Sequence, residues 1–255
     1  MLQKNSHPKI GAIILAAGHG TRMNSDIPKV MHMLDGKPLV DHVVTHVEET
    51  GICEKPVLVV SSKHSYVQDH LGDRARYVVQ SEQLGTGHAT SMAREILEGK
   101  VEHVVVLYGD MPFVSSDSIF RLVERHVERE NAITLMTITV PDFEGKYAPF
   151  YSFSRIIRRE QDGHIARDVQ KKDCTPEELE IKELNPCYFC FRSEWLWGHI
   201  DKLTTDNAQG EYYLTDLLQM AIDNHEKISS IAIDPMEAIG VNTKDDLEVA
   251  QKLLK

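Results

Sequence analysis

The chain is predicted to form an α/β fold: a doubly wound, mainly parallel sheet with a smaller, partly antiparallel lid. Two observations carry that prediction. Through roughly the first 140 residues, short apolar runs alternate with amphipathic helical patterns. Such strand–helix–strand units bury a parallel sheet between two helical layers. From about Tyr147 the texture becomes more polar and is punctuated by turn residues, as a hairpin requires.

In order, "IGAIILAA" is a buried strand and "PLVDHVVTHVEET" the helix after its loop. "PVLVVSS", "ARYVVQ", "EHVVVLYGD" and "NAITLMTITV" are further strands. Between them lie helices in "SYVQDHL", "GHATSMAREILEG" and "SSDSIFRLVERHVERE", the last capped by Ser115 or Ser116. "FYSFSRIIRRE" and "HIARDVQ" form a hairpin with Asp162–Gly163 at its turn. "KKDCTPEELEIK" is a polar excursion with a one-turn helix, and "ELNPCYFCF" reads as one strand. "GEYYLTDLLQMAIDNH" reads as a helix, "KISSIAID" as a strand and "TKDDLEVAQKLLK" as a closing helix. Residues 1–255 are expected to be one domain, with the lid inserted at about 141–192.

The net charge of −11 argues against a nucleic-acid partner, which needs a basic face, but leaves room for a local basic pocket. No run approaches the roughly 18 apolar residues of a membrane span. The polar start "MLQKNSHPK" lacks a signal-peptide core, so a cytoplasmic location and no membrane partner are expected. Four cysteines are too few and too scattered for a disulfide framework.

Ligands of doubly wound sheets bind beyond the carboxyl ends of the strands, and three unusual loops fall at such ends. In "ILAAGHGTRMNSDIPK", small residues Ala16, Ala17, Gly18 and Gly20 would let backbone N–H groups reach phosphate oxygens. Arg22 and Lys29 would neutralise a polyphosphate. A plain turn with solvated basic residues is the alternative. No Walker lysine is present, and Met23 stands where a dinucleotide fingerprint needs its third glycine. In "QSEQLGTGHAT", the Gln80 amide has both donor and acceptor for a base edge, and Gly85–Thr86 would open a helix. In "LYGDMP", Asp110 suits a hard cation such as Mg²⁺ bound jointly with substrate phosphates, or else caps a turn before Pro112.

"ILAAGHGTRM", Pro28–Lys29, "EQLGTGHA", "YGDMP", "AQGEYYLTD" and "GVN" occur in the order found in bacterial N-acetylglucosamine-1-phosphate uridylyltransferases. The chain resembles their N-terminal pyrophosphorylase domain over nearly its whole length. That resemblance implies a Rossmann-like fold in which Leu15, Ala16, Ala17 and Gly18 hold the nucleotide. It implies that Arg22 and Lys29 grip the triphosphate, and that Gln80 and Gly85 read uracil beside Thr86. Tyr108 and Gly109 would line the site, while Asp110 and Asn242 would hold Mg²⁺. Asn185 would contact the sugar. The implied substrates are UTP and a sugar-1-phosphate.

The sequence departs from that family on the sugar side. Asn185-Pro186-Cys187 replaces an N-T-G, Ser154 a glycine, and Gln170 a glutamate. Reaction type is therefore better fixed than sugar identity, and glucose or modified hexosamine phosphates are alternatives. A binding protein that no longer turns over is another. The chain ends without hexapeptide repeats, so neither the acetyltransferase activity nor the trimer contacts of the longer enzymes are expected. A monomer or weak homo-oligomer follows.

Some features are assigned structural roles. Cys187 and Cys190, read as strand positions three apart, would point to opposite faces and not chelate. His19 is expected to be solvated, and Trp195 and Trp197 to pack the lid against the sheet.

Overall fold

A computed structural model describes residues 8–18, 20–23, 25–207 and 209–254. In chain order it places β1 (Ile10–Leu15), a small ribbon of β2 (Met33–Leu34) and β3 (Lys37–Pro38), and α1 (Leu39–Thr50). Next come β4 (Val57–Ser61), α2 (Tyr66–Leu71), β5 (Arg76–Gln80), α3 (Thr86–Ser91) and α4 (Arg94–Leu97). They are followed by β6 (His103–Tyr108), α5 (Ser116–Glu128), β7 (Ile133–Thr139), β8 (Ser154–Arg158) and β9 (Ile165–Val169). The chain continues through α6 (Pro176–Leu179), β10 (Glu183–Asn185), β11 (Phe189–Arg192), α7 (Ser193–His199), α8 (Asp216–Asp223), β12 (Ile228–Ala232) and α9 (Lys244–Leu253).

The strand order is β5-β4-β1-β6-β11-β7-β10-β8-β9, with β12 on the other side of β7. Neighbours from β5 to β6, and the β7–β12 pair, run parallel. β11 runs antiparallel between β6 and β7; the central part of the sheet is thus mainly parallel, as the alternating pattern predicts, while the lid strands β8, β9 and β10 pair antiparallel. β1 is buried at every position. Because side chains alternate across a strand, its run feeds two layers. Ala12 and Ile14 join Leu58, Val105 and Leu107 beneath α1 and α5. Ile13 and Leu15 join Val57, Val59, Val104 and Val106 against α3, α4, α7 and α8.

Several expectations are corrected at local breaks. "ELNPCYFCF" is two strands: Pro186 has no N–H to donate and Cys187 has φ +68°, so β10 joins the lid sheet and β11 the central one. "FYSF" belongs to a 3₁₀ turn (Gly145–Ser152), not to a strand. "GHATSMAREILEG" bends where Met92 and Ala93 bond to carbonyls only three residues back. Helix α8 starts at Asp216, later than the pattern suggested. Trp195 lies on α7, stacked with Phe191 of β11 at 6.5 Å, and Trp197 bonds Ser193 on the same helix. Both tryptophans therefore belong to α7, packed on the central sheet. The Ser115 cap holds: its side chain accepts from Ser118 N.

His126 of α5 is fully buried, with Nδ1 3.0 Å from Thr134 Oγ1 and its ring 4.8 Å from that of His103. Burial pushes its pKa down to about 3 from 6.5, helped by His103 and Arg192. The unfolded chain thus takes up a proton below pH 6.5 that the folded chain refuses, so stability falls as pH drops through that value. His32, His46 and His103, also lowered by burial, act in the same direction. Between pH 7.5 and 5.5, His126 alone should remove about 1.4 kcal/mol. Urea unfolding at the two pH values should show His126→Gln losing about 1 kcal/mol less than wild type. Equal losses would contradict the assignment.

Candidate active site

At the carboxyl edge of the sheet, β1 and β6 end side by side at Leu15 and Tyr108. The ladder continues one step further, with Gly109 N donating to Leu15 O at 2.9 Å and Ala16 N to Val59 O at 2.8 Å. The Ala16 amide is thus committed to the sheet and is not free for a phosphate. Leu15, Ala16 and Ala17 are buried and Gly18 is exposed. A Cβ on Gly109 would lie 3.3 Å from both Val30 and Val40, so its smallness serves packing behind the site. His19 lies outside the described residues.

Gly20 adopts φ +60°, and a Cβ there would sit 2.6 Å from Lys29 Cβ. The glycine lets the Lys29–Met31 turn pack beneath the loop. Met23 is fully buried with Leu34, Leu39, Val241 and Ala250. The position that lacks the third glycine therefore anchors the loop to the last helix. Lys29 Nζ is bonded to Asp110 Oδ2 and, at 2.8 Å, to Asn242 Oδ1. Arg22, itself exposed, reaches the same Asn242 oxygen at 3.3 Å. Asn242 is delivered by a backbone bond from Val241 N to Asp110 O at 2.9 Å. The Asp246 carboxylate caps the α9 turn by accepting from Asn242 N and Thr243 N, each at 2.9 Å.

Asp110 Oδ2 and Asn242 Oδ1 already share one cation, the Lys29 ammonium. Two hard oxygens converging this way fit a hard divalent ion. Among the described residues no three His, Cys, Asp or Glu side chains gather as a metal cluster. Such an ion would draw its other ligands from phosphates and water.

The base-side loop is built differently from its sequence reading. Gln80 is buried, and its Nε2 faces Gly85 O at 3.2 Å and His88 Nδ1 at 3.0 Å. Gly85 has φ +107°, and a Cβ would meet Tyr212 O at 2.5 Å. Gly87 N donates to Tyr212 O, and Tyr212 N to Leu84 O, both at 2.8 Å. Thr86 Oγ1 accepts from Leu214 N at 3.0 Å. The two glycines therefore seat the 210–214 segment against the start of α3. Gln83, not singled out from the sequence, ties this loop to the first one through Ala17 O at 3.2 Å.

A cavity of about 560 Å³ runs from this edge to the lid. Arg22, Thr86, Tyr108, Asp110 and Asn242 line one end, and Ser154, Gln170, Asn185 and Cys187 the other. Leu15, Ala16, Ala17, Gly18, Lys29, Gln80, Gly85 and Gly109 do not line it. Tyr213 and Thr215, from within "GEYYLTD", do, and so does Lys146, which no sequence pattern marked. Gln170 Nε2 spans to Thr215 Oγ1 at 3.5 Å, linking lid to α8. Tyr108 is held well above the ordinary tyrosine range by burial, and the Cys187 thiol is likewise pushed up by burial and by Asp168. Both are neutral at physiological pH. Cys187 packs against the α8 layer, whereas Cys190 is in the α1–α5 layer.

A family model described as MobA-like NTP transferase domain matches residues 12–220. Two relatives named bifunctional protein GlmU, from Clostridium novyi and Streptococcus pyogenes serotype M3, are 38% and 40% identical. Each alignment covers 96% of this chain but only 52% and 51% of the relative. The chain thus spans about half the length of the curated relatives it matches. Among solved structures, a protein of Bacillus anthracis provisionally assigned as a glucose-1-phosphate thymidylyltransferase superposes with TM-score 0.75 at 18% identity, covering 96% of this chain and 94% of that one. A 4-diphosphocytidyl-2C-methyl-D-erythritol synthase from Anaerococcus prevotii gives 0.67 at 19%, covering 97% and 98%. At these identities the two structures share the α/β fold.

Glycine substitutions separate backbone need from open space. Gly85→Ala combines a positive φ with a backbone clash and should cost about 2–4 kcal/mol in chemical denaturation. Gly18→Ala, with nothing within 4 Å of the added carbon, should change stability by less than about 0.5 kcal/mol. Similar losses in both would contradict the packing account.

Proposed function

Because this chain belongs to the MobA-like NTP transferase domain family, we propose that it transfers a uridylyl group from UTP to a sugar-1-phosphate, releasing pyrophosphate. The convergence of Arg22, Asp110 and Asn242 at one end of the cavity, with Lys29 bonded to the last two from behind the lining, carries this reading. Uridine as the base, and N-acetylglucosamine-1-phosphate as the first acceptor to test, rest on "EQLGTGHA" and "GEYYLTD" and on the similarity to the two GlmU proteins.

The attacking sugar phosphate is already ionised at neutral pH, so no protein nucleophile or general base is required. An oxygen of that phosphate bonds to the α-phosphorus of UTP while the bond to the bridging oxygen of pyrophosphate breaks. The protein's work is alignment and charge neutralisation. Lys29 and Arg22 would transfer their contacts from Asp110 and Asn242 to the triphosphate as it enters. Asp110 and Asn242 would hold Mg²⁺, which when bound supplies further neutralisation of the reacting phosphates. Tyr108 in the cavity wall, and the lid over the site, would limit water access to the α-phosphorus.

A second reading keeps the reaction and changes the sugar. Ser154, Gln170 and Cys187, the positions that depart from the uridylyltransferase pattern, all line the far end of the cavity. A site built around different hydrogen bonds selects a different hydroxyl or acyl pattern. Pyrophosphate release from UTP with N-acetylglucosamine-, glucosamine- and glucose-1-phosphate decides between the two readings. Asp110→Ala should lower release by about a thousandfold or more, while its melting temperature stays close to wild type. Near-normal release by that variant would contradict the assignment.

A further inference from the structure

The lid holds a carboxylate that none of these roles uses. Asp168 lies on β9, two residues before Gln170 at the strand's end. Its Oδ2 accepts a hydrogen bond from Asn185 Nδ2 at 2.7 Å. Asn185 Oδ1 in turn accepts the backbone N–H of Cys187 at 2.7 Å. This second bond fixes which end of the amide is oxygen, since only the oxygen can meet an N–H. One amide hydrogen is then taken by Asp168. The group that Asn185 has left to offer is an N–H.

The surroundings of Asp168 are dry. Its Oδ1 and the Ser154 hydroxyl are both out of solvent, close enough to influence each other but without a fully formed hydrogen bond. Ser154 stands opposite Asn185 in the β8–β10 register, and both line the cavity with Gln170. We propose that Asp168 is a specificity-determining residue. Together with the Cys187 N–H, it holds the Asn185 amide in one orientation, so that the far end of the cavity presents a donor. The site would then favour sugar-1-phosphates that carry a hydrogen-bond acceptor, such as an acyl carbonyl, where they meet Asn185. The inference rests on the nucleotidyl transfer proposed above.

Burial raises the Asp168 carboxyl to about 6, against the pull of the Ser154 hydroxyl and the Asn185 amide, with Asp216 of α8 adding to the rise. The groups facing it are thus Ser154 from β8, Asn185 from β10, the neutral Cys187 thiol and Asp216 from α8. Below pH 6 the carboxyl takes a proton and holds the amide less firmly. Sugar affinity should therefore fall as pH drops through that value. A sugar phosphate itself takes a proton near pH 6, so the informative quantity is the difference between wild type and variant.

Asp168→Asn keeps the size of the side chain and removes its charge. With this variant, KM for N-acetylglucosamine-1-phosphate should rise about tenfold, KM for UTP should stay within about twofold, and the preference over glucose-1-phosphate should shrink in proportion. Its pH profile should lack the extra loss of sugar affinity that wild type shows below 6. Its melting temperature at pH 8 should equal or exceed wild type, because a desolvated charge has been removed. Equal rises in both KM values, or an unchanged sugar preference, would overturn the proposal. An NMR titration gives a readout that does not depend on turnover. The Asn185 side-chain amide resonances should shift with a midpoint near pH 6 in wild type and not in Asp168→Asn. A static wild-type amide would overturn the role of Asp168 whatever the catalytic result. Failure of every sugar phosphate to release pyrophosphate would instead refute the nucleotidyl transfer itself.

Discussion

The contact on which the site depends is the meeting of Lys29, Asp110 and Asn242 at the end of β6. It joins three segments that are remote in sequence: the turn after the first loop, the end of a central strand, and the approach to the last helix. A single backbone bond, Val241 N to Asp110 O, brings the third segment to the second. Met23, buried with Val241 and Ala250, brings in the first. Apolar anchoring thus sets the positions of the charged groups, and the ammonium keeps a half-buried carboxylate compensated.

At the far end of the cavity, the controlling constraint is a change of sheet. β10 and β11 pair with successive parts of β7, and the chain passes from lid to central sheet through Pro186 and Cys187. A non-glycine residue at φ +68° is unfavourable there, by about 1–2 kcal/mol. The Asn185 oxygen bonded to the Cys187 amide offsets part of that cost. One turn therefore links lid to core, carries Asn185, and places a thiol in the cavity wall.

The central strands were legible because "IGAIILAA", "PVLVVSS" and "EHVVVLYGD" are apolar runs too short to be buried helices. The lid was less so. "ELNPCYFCF" reads as one strand unless Pro186 is given its full weight, and the left-handed turn at Cys187 carries no residue signal. The helix in "GEYYLTDLLQMAIDNH" is present but begins only at Asp216, because Tyr212 and Leu214 bond to α3 and its preceding loop, a tertiary preference that periodicity does not register. Motifs brought forward Arg22, Lys29, Asp110 and Asn242, and these do meet. Their spacing alone could not show that Lys29 rests on Asp110. The role of Gln83 within "EQLGTGHA", and Asp168 altogether, could not be read because their importance lies in partners 66 and 17 residues away.

We propose that a triphosphate and its divalent ion are held where Lys29, Asp110 and Asn242 meet. The most direct measurement is anomalous diffraction from crystals grown with UTP and Mn²⁺. The predicted result is a manganese peak bridged by the Asp110 carboxylate and the Asn242 amide oxygen, with Lys29 withdrawn onto phosphate. A peak elsewhere, or Lys29 still resting on Asp110 with nucleotide bound, would contradict it.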